Sequence, residues 1–148
     1  MFRGDFKQTT KICQEVENFG KDTEDLIDEL FTLCSDEAHI GLAAPQIGVD
    51  KRVFVVTYED IVDAFVNPQV TILVPYTFSH WEECLSLPTI TALVDRYYKI
   101  KIVYLDREGR TRTRVLQEFK AAVIQHEMDH LVGKMIHTVG SQVQRVER

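Results

Sequence analysis

The segment His126-Glu127-Met128-Asp129-His130 has the residue types and spacing of a metal-assisted hydrolytic site. Two imidazoles four residues apart on a helix lie one turn from each other on one face, so both can bind a single metal ion. Glu127 follows the first by about 100° around the helix, where a carboxylate reaches a water activated by that ion. Such a pattern points to hydrolysis and leaves the substrate open. A solvated surface helix would surround these residues with polar neighbours. Here they are Ala121, Ala122, Val123, Ile124, Met128, Leu131 and Val132, and a helix apolar nearly all round is buried. Buried imidazoles beside a buried carboxylate need partners, and a metal with its water supplies them.

Two histidines leave such an ion short of a third protein ligand. The metzincin pattern would place a histidine six residues after His130, but that residue is Ile136. His137 is one residue off and follows the helix-stopping Gly133. A thermolysin-like site would take a glutamate about twenty residues downstream on another helix, and the later candidate, Glu147, falls in a polar tail. Cys84 fits better. It lies in Glu82-Glu83-Cys84-Leu85-Ser86-Leu87-Pro88, read as an irregular segment between strand candidates, and a thiolate is a strong ligand for zinc or ferrous iron. Taken alone, a free cysteine is more often a small buried hydrophobe.

The elements that must position these groups can be read from periodicity. An amphipathic helix is predicted over 23–34, capped by Asp22 or Thr23, with Leu26, Ile27, Leu30, Phe31 and Cys34 on one face. Gly41 to Gly48 reads as a loop of small residues. The β-branched run 52–58 is typical of a buried strand, and 64–74 supplies one or two more. Residues 97–105 alternate strictly, Asp106-Arg107-Glu108-Gly109 turns the chain, and 110–119 returns as the partner strand. The helix bearing the two histidines is predicted over 120–132, ending at Gly133. Strands thus dominate the middle, with a helix before and a helix after: an α+β domain, with mixed or antiparallel sheets packed around a central metal-binding helix.

The 148 residues suit one domain, 1–148, with a single core. With 45% hydrophobic and 27% charged residues the chain reads as globular. No apolar run approaches the ~18 residues of a membrane span, and Met1-Phe2-Arg3-Gly4 opens no secretory h-region. A net charge of -6 with scattered basic residues argues against nucleic acid as a direct partner. Lys99, Lys101, Arg110, Arg112 and Arg114 alternate as on a wetted sheet face. Three cysteines, Cys13, Cys34 and Cys84, form no paired framework and point to a reducing, cytoplasmic setting.

Three blocks in order, Gly41-Leu42-Ala43-Ala44-Pro45-Gln46-Ile47-Gly48, Glu82-x-Cys84-Leu85-Ser86 and Gln125-His126-Glu127-Met128-Asp129-His130-Leu131, resemble those of the peptide deformylase family. The resemblance runs from about Ile40 to Gly133, most of the chain. It implies that Cys84, His126 and His130 bind one metal ion per chain, commonly ferrous iron (Fe2+), with Zn2+, Ni2+ or Co2+ as possible substitutes. It implies that Glu127 is the acid/base and that Gln46 and the Leu85 backbone N–H form an oxyanion site. The implied substrates are N-formylmethionyl peptides and nascent chains. Their first side chain would enter a pocket walled by Ile40, Phe119, Ala122 and Val123, with Gly41 leaving room for the peptide backbone. The resemblance also suggests an ion pair between Glu82 and Arg96. A formamide is a poor electrophile, so such a site must make hydroxide near neutral pH and stabilise an oxyanion.

Two positions depart from the family pattern: His39 and Glu83 each stand where a glycine is usual. Had position 83 required a positive φ, glutamate would cost roughly 1–2 kcal/mol; on ordinary backbone, Glu83 adds a negative rim to the peptide cleft, and that alternative is preferred. The short segment after the metal helix is compatible with a compact member of phage or organelle origin, acting as a monomer. The competing readings are a small metallopeptidase, which lacks its ligand at position 136, and a non-catalytic deformylase-like peptide-binding protein, which would not need Glu127.

Overall fold

The computed structural model describes residues 5–146; Met1 to Gly4 and the excluded ligand candidate Glu147 lie outside the described residues. Helix α1 (Lys21–Asp36) is followed by β1 (Gly41–Ala43), a 3-10 turn (Ala44–Ile47), β2 (Val53–Tyr58) and β3 (Ile61–Ile72). Two hairpins come next, β4 (Thr77–Cys84) with β5 (Leu87–Tyr97), and β6 (Lys99–Leu105) with β7 (Thr111–Gln117). Helix α2 (Glu118–Leu131), the single turn α3 (Ile136–Val139) and β8 (Gln142–Arg145) complete the order. The strands form two antiparallel sheets, β1-β2-β3-β6-β7 and β4-β5-β8. Helix α2 lies between them, touching β1, β2, β6 and β7 of the larger sheet and β5 of the smaller.

The pattern of each strand follows from what covers it. In β2, Phe54 and Val56 pack in the cluster under α2, while Val53 and Val55 pack in the cluster under α1. Both faces are covered, so the run is apolar without a break. In β6, Ile100, Ile102 and Tyr104 face the α2 cluster and Lys99 and Lys101 face the other way, hence the strict alternation. Phe65 anchors the first cluster, its ring 4.9 Å from Phe54 and 4.3 Å from Tyr104. A third cluster, with Cys84, Val94 and Ile136, lies between the small sheet and α3. There Ile136 is core, so position 136 serves packing.

Several boundaries differ from the sequence expectation. Helix α1 starts at Lys21 with Gly20 as its cap, and the Thr23 hydroxyl instead donates to the Asn18 carbonyl at 2.9 Å. The segment read as a loop, Gly41 to Gly48, begins as strand β1 and ends in a 3-10 turn closed by Gly48 at φ 82°. Cys84 lies at the end of β4, with Leu85-Ser86 as the hairpin turn, so the irregularity is a register shift between Glu83 and Cys84. Helix α2 begins two residues early at Glu118, whose φ of 58° bends the chain straight from β7 into the helix. Neither α3 nor β8 has a periodic signal long enough to announce it.

The segment before α1 forms an extended strap across the end of α2. Cys13 N–H donates to the Leu131 carbonyl at 2.9 Å, and Val16 exchanges two 2.8 Å hydrogen bonds with the Asn67 side chain. Gly133 ends α2 at φ 78°, and a Cβ there would lie 2.5 Å from Lys11 N and 2.7 Å from Thr10 C. Both the left-handed backbone and the closeness of the strap require glycine. Gly133→Ala is expected to cost about 2–4 kcal/mol, lowering the thermal midpoint by several degrees or more. A thermal midpoint equal to wild type would contradict this docking.

Candidate active site

Helix α2 and the tip of the β4–β5 hairpin bring Cys84, His126 and His130 together; their ligand atoms all lie within 4.8 Å of one another. His130 Nε2 is 3.3 Å from His126 Nε2 and 3.3 Å from Cys84 Sγ. Donors about 3.3–3.6 Å apart span a tetrahedron around an ion bonded at about 2.0–2.3 Å. All three side chains are buried. Each imidazole turns Nε2 inward because a second group holds Nδ1: Glu82 Oε1 lies 2.9 Å from His126 Nδ1, and Thr9 Oγ1 lies 3.2 Å from His130 Nδ1. Burial opposes protonation of His126, but hydrogen bonds with Cys84 and Glu82 outweigh it and raise its pKa well above the usual value. Burial, with His126 next to it, pushes His130 the other way. A soft thiolate with two imidazoles fits zinc or ferrous iron.

Glu82 is the hub behind this cluster. Arg96 Nε and Nη2 donate to its two oxygens at 2.8 and 2.7 Å, and Arg96 Nη1 donates to Asp129 at 2.6 Å. Arg96 and Glu82 are 5% and 6% exposed, so the pair is withdrawn from solvent. His80 Nε2 comes within 2.7 Å of Glu82 Oε2, off the line of a good hydrogen bond. Burial alone would raise the Glu82 carboxyl, but the hydrogen bonds with Arg96 and His126, with the His80 ring close by, hold it far below the usual carboxylate range. A permanently ionised Glu82 only accepts, so His126 Nδ1 carries a proton and Nε2 is the nitrogen that faces the cluster.

Glu127 lies beside the cluster and borders the same cleft as His126. It is 3% exposed, its Oε1 has no hydrogen-bond partner among the described residues, and burial pushes its carboxyl up to about 7. An orphaned, desolvated carboxylate poised near neutrality is suited to exchanging protons. Space for it comes from Gly41, where a Cβ would lie 2.6 Å from Glu127 Oε2. Gly41 is itself buried, so the demand on this glycine comes from Glu127 inside the protein. Gln46 is fixed at its carbonyl end by the Ala43 N–H at 2.9 Å. Its Nε2 donates to Ser86 Oγ at 3.0 Å and approaches Cys84 Sγ at 3.6 Å. Leu85 occupies the adjoining turn, its side chain packed on the α1 cluster.

A cleft of about 350 Å³ opens onto His126 and Glu127 and is lined by Ile40, Phe119, Ala122, Val123 and Glu83. Glu83 is a strand residue without positive φ, so its side chain costs no backbone strain. His39 and Glu83 both border this cleft, and the charge of Glu83 acts on the His39 ring. The cleft also contains groups that sequence reasoning passed over. His80 and Trp81 belong to an exposed edge strand and carry no motif, and Thr91 of β5 lies opposite Glu83. Thr9 and Ser86 also went unremarked as partners. Nothing in local spacing links Thr9 to a histidine 121 residues away.

The sequence matches the family described as Polypeptide deformylase over residues 4–146. It is 40% identical to the peptide deformylase of Hydrogenovibrio crunogenus over 129 residues, covering 84% of this chain and 75% of that protein. It is 38% identical to that of Brachyspira hyodysenteriae over 131 residues, covering 83% and 70%. The structure of a Synechococcus elongatus peptide deformylase in complex with actinonin superposes with a TM-score of 0.88 at 26% identity, covering 93% of this chain and 79% of that one. The chain belongs to the peptide deformylase family, metal-dependent hydrolases that remove the formyl group from the N-terminal formylmethionine of new polypeptides and release formate.

Arg96 neutralises two acids, Glu82 and Asp129, in a nearly dry setting. Arg96→Ala leaves both without their cation, so a loss of about 3–5 kcal/mol in urea-induced unfolding is expected, together with weaker metal retention. Stability within 1 kcal/mol of wild type, an estimate at the scale of a surface substitution, would show that the pair does not brace the hairpin.

Proposed function

We propose that Cys84, His126 and His130 hold one divalent ion, ferrous iron in the first instance with zinc, nickel or cobalt as substitutes, and that Glu127 moves the protons of deformylation. The observation that carries this reading is the convergence of two Nε2 atoms and one sulfur within 4.8 Å, beside a buried carboxylate oxygen without a hydrogen-bond partner among the described residues. When bound, the ion supplies a Lewis acid that makes water nucleophilic near neutral pH. Glu127 takes the proton of the attacking water and returns it to the leaving amine as the C–N bond of the formamide breaks. Its ionised form does the first of these tasks, so kcat/KM falls as pH is lowered through its pKa. Gln46 Nε2 and the Leu85 N–H are the proposed donors to the developing oxyanion, each contributing about 3 kcal/mol. The Ala43 N–H fixes the opposite end of the Gln46 amide, so its donor end needs no reorganisation.

The methionine side chain is assigned to the cleft between Ile40, Phe119, Ala122 and Val123, whose walls are aliphatic and aromatic. An unbranched, polarizable side chain fills such a space well. The bordering strands β1 and β4 each pair on one side within their sheet, which suits a peptide docking by strand addition. Glu83 at the rim lends negative charge that favours lysine or arginine in the following positions. The chain is proposed to act as a monomer in the cytoplasm, where formylated chains emerge. No helix among the described residues is long and apolar enough to cross a membrane.

Two measurements test these assignments. Glu127→Gln is expected to bind metal and stay folded while formate release falls about 100- to 10,000-fold, since an amide cannot accept the proton. Turnover near wild type would remove Glu127 from the mechanism. Formyl-Ala peptides are expected to lose at least about tenfold in kcat/KM against formyl-Met peptides, because a truncated side chain forgoes apolar contact. Equal rates would separate the cleft from substrate choice.

A further inference from the structure

We propose that Thr9, on the strap before α1, is a positioning residue that fixes the tautomer and orientation of His130 and so sets how tightly the metal is held. The proposal rests on the metal assignment of Cys84, His126 and His130. Thr9 is 4% exposed, so water does not substitute for its hydroxyl. The hydroxyl oxygen has three polar neighbours: His130 Nδ1 at 3.2 Å, the Lys134 carbonyl at 3.3 Å and Met135 Sδ at 3.3 Å. The last two only accept. A hydroxyl has one proton to give and lone pairs to offer. Only the arrangement in which Thr9 donates to Lys134 or Met135 and accepts from His130 satisfies the imidazole and one of these acceptors together. It places the proton on Nδ1 and leaves the Nε2 lone pair facing Cys84 and His126, each 3.3 Å away.

The two histidines are thus oriented by unlike partners. His126 leans on the ionised Glu82 of β4, held in turn by Arg96. His130 leans on a neutral hydroxyl whose place depends on the strap. Lys7 N–H donates to the Gln46 carbonyl at 2.7 Å and the Lys7 carbonyl accepts from Ser86 Oγ at 2.6 Å, while Cys13 is tied to Leu131. Thr9 lies between these attachments, and its N–H also meets Met135 Sδ at 3.4 Å. The strap therefore completes the metal site without supplying a ligand to it.

The test compares zinc-loaded wild type with Thr9→Val, which keeps the shape and loses the hydroxyl, and Thr9→Ser, which restores it. Zinc affinity by competition with a chromogenic chelator is expected to fall at least about tenfold in Thr9→Val and to stay within about twofold of wild type in Thr9→Ser. In the zinc-loaded wild type, the His130 Nδ1–H resonance should be slow to exchange and show a nuclear Overhauser contact to the Thr9 side chain. This readout needs no variant, and in Thr9→Val that proton should exchange faster. Should Thr9→Val not fold, Thr9→Ala removes the same hydroxyl. Equal zinc affinity in wild type and the hydroxyl-free variant, or no Nδ1–H contact to Thr9, overturns the proposal and leaves the metal assignment intact. Failure of wild type itself to bind one zinc overturns both.

Discussion

The carboxylate of Glu82 is the point on which the site depends. It is buried, and a lone ionised carboxylate in such a place is prohibitively costly, so its environment is built around it. Arg96 from β5 grips both oxygens and reaches on to Asp129 of α2, while His126 of the same helix hydrogen-bonds to the carboxylate from the other side. One side chain thereby joins β4 and β5 of the small sheet to the helix between the sheets. The link fixes the hairpin tip against α2, placing Cys84 beside His126 and His130. Removing Arg96 leaves both Glu82 and Asp129 without their cation.

About 100° round α2 from His126, at Glu127, the constraint is spatial. Gly41 leaves the volume that the Glu127 carboxylate fills, and the adjoining 3-10 turn fixes Gln46 through the Ala43 N–H. The short strand and turn, Gly41 to Ile47, thus serve two groups of unlike chemistry within a few residues. The helix is oriented by charge at His126 and accommodated by the absence of a side chain at Gly41. Strain is accepted where the chain must enter α2 directly from β7, at Glu118 with φ 58°, one residue before Phe119 of the cleft wall.

What could be read from the sequence depended on the range of the interaction. The buried run of β2, the alternation of β6 and the helix ended by Gly133 are written in local periodicity. His126, Glu127 and His130 declare themselves through spacing on one turn. Cys84 lies more than forty residues from the histidines: ligand chemistry made it a candidate, and three blocks resembling a family set it beside them. The strap was illegible because it has no periodicity: Thr9, Cys13 and Val16 matter for what they touch, far along the chain. Gly41 to Gly48 was misread for a related reason, since small residues suit a loop and equally suit a strand pressed against a helix. His80, Trp81 and Thr91 follow the rhythm of strands, and only the pairing of β4 with β5 brings them to one cleft.

The central claim is that one ion is shared by Cys84 Sγ, His126 Nε2 and His130 Nε2. Anomalous diffraction from crystals of the metal-loaded protein, recorded on both sides of the metal's absorption edge, tests it most directly. The account predicts a single strong peak within bonding distance of all three atoms, about 2.0–2.3 Å for zinc, with Glu127 adjacent but not coordinated. A peak placed elsewhere, or a peak held by the histidines with the Cys84 sulfur turned away, would contradict it.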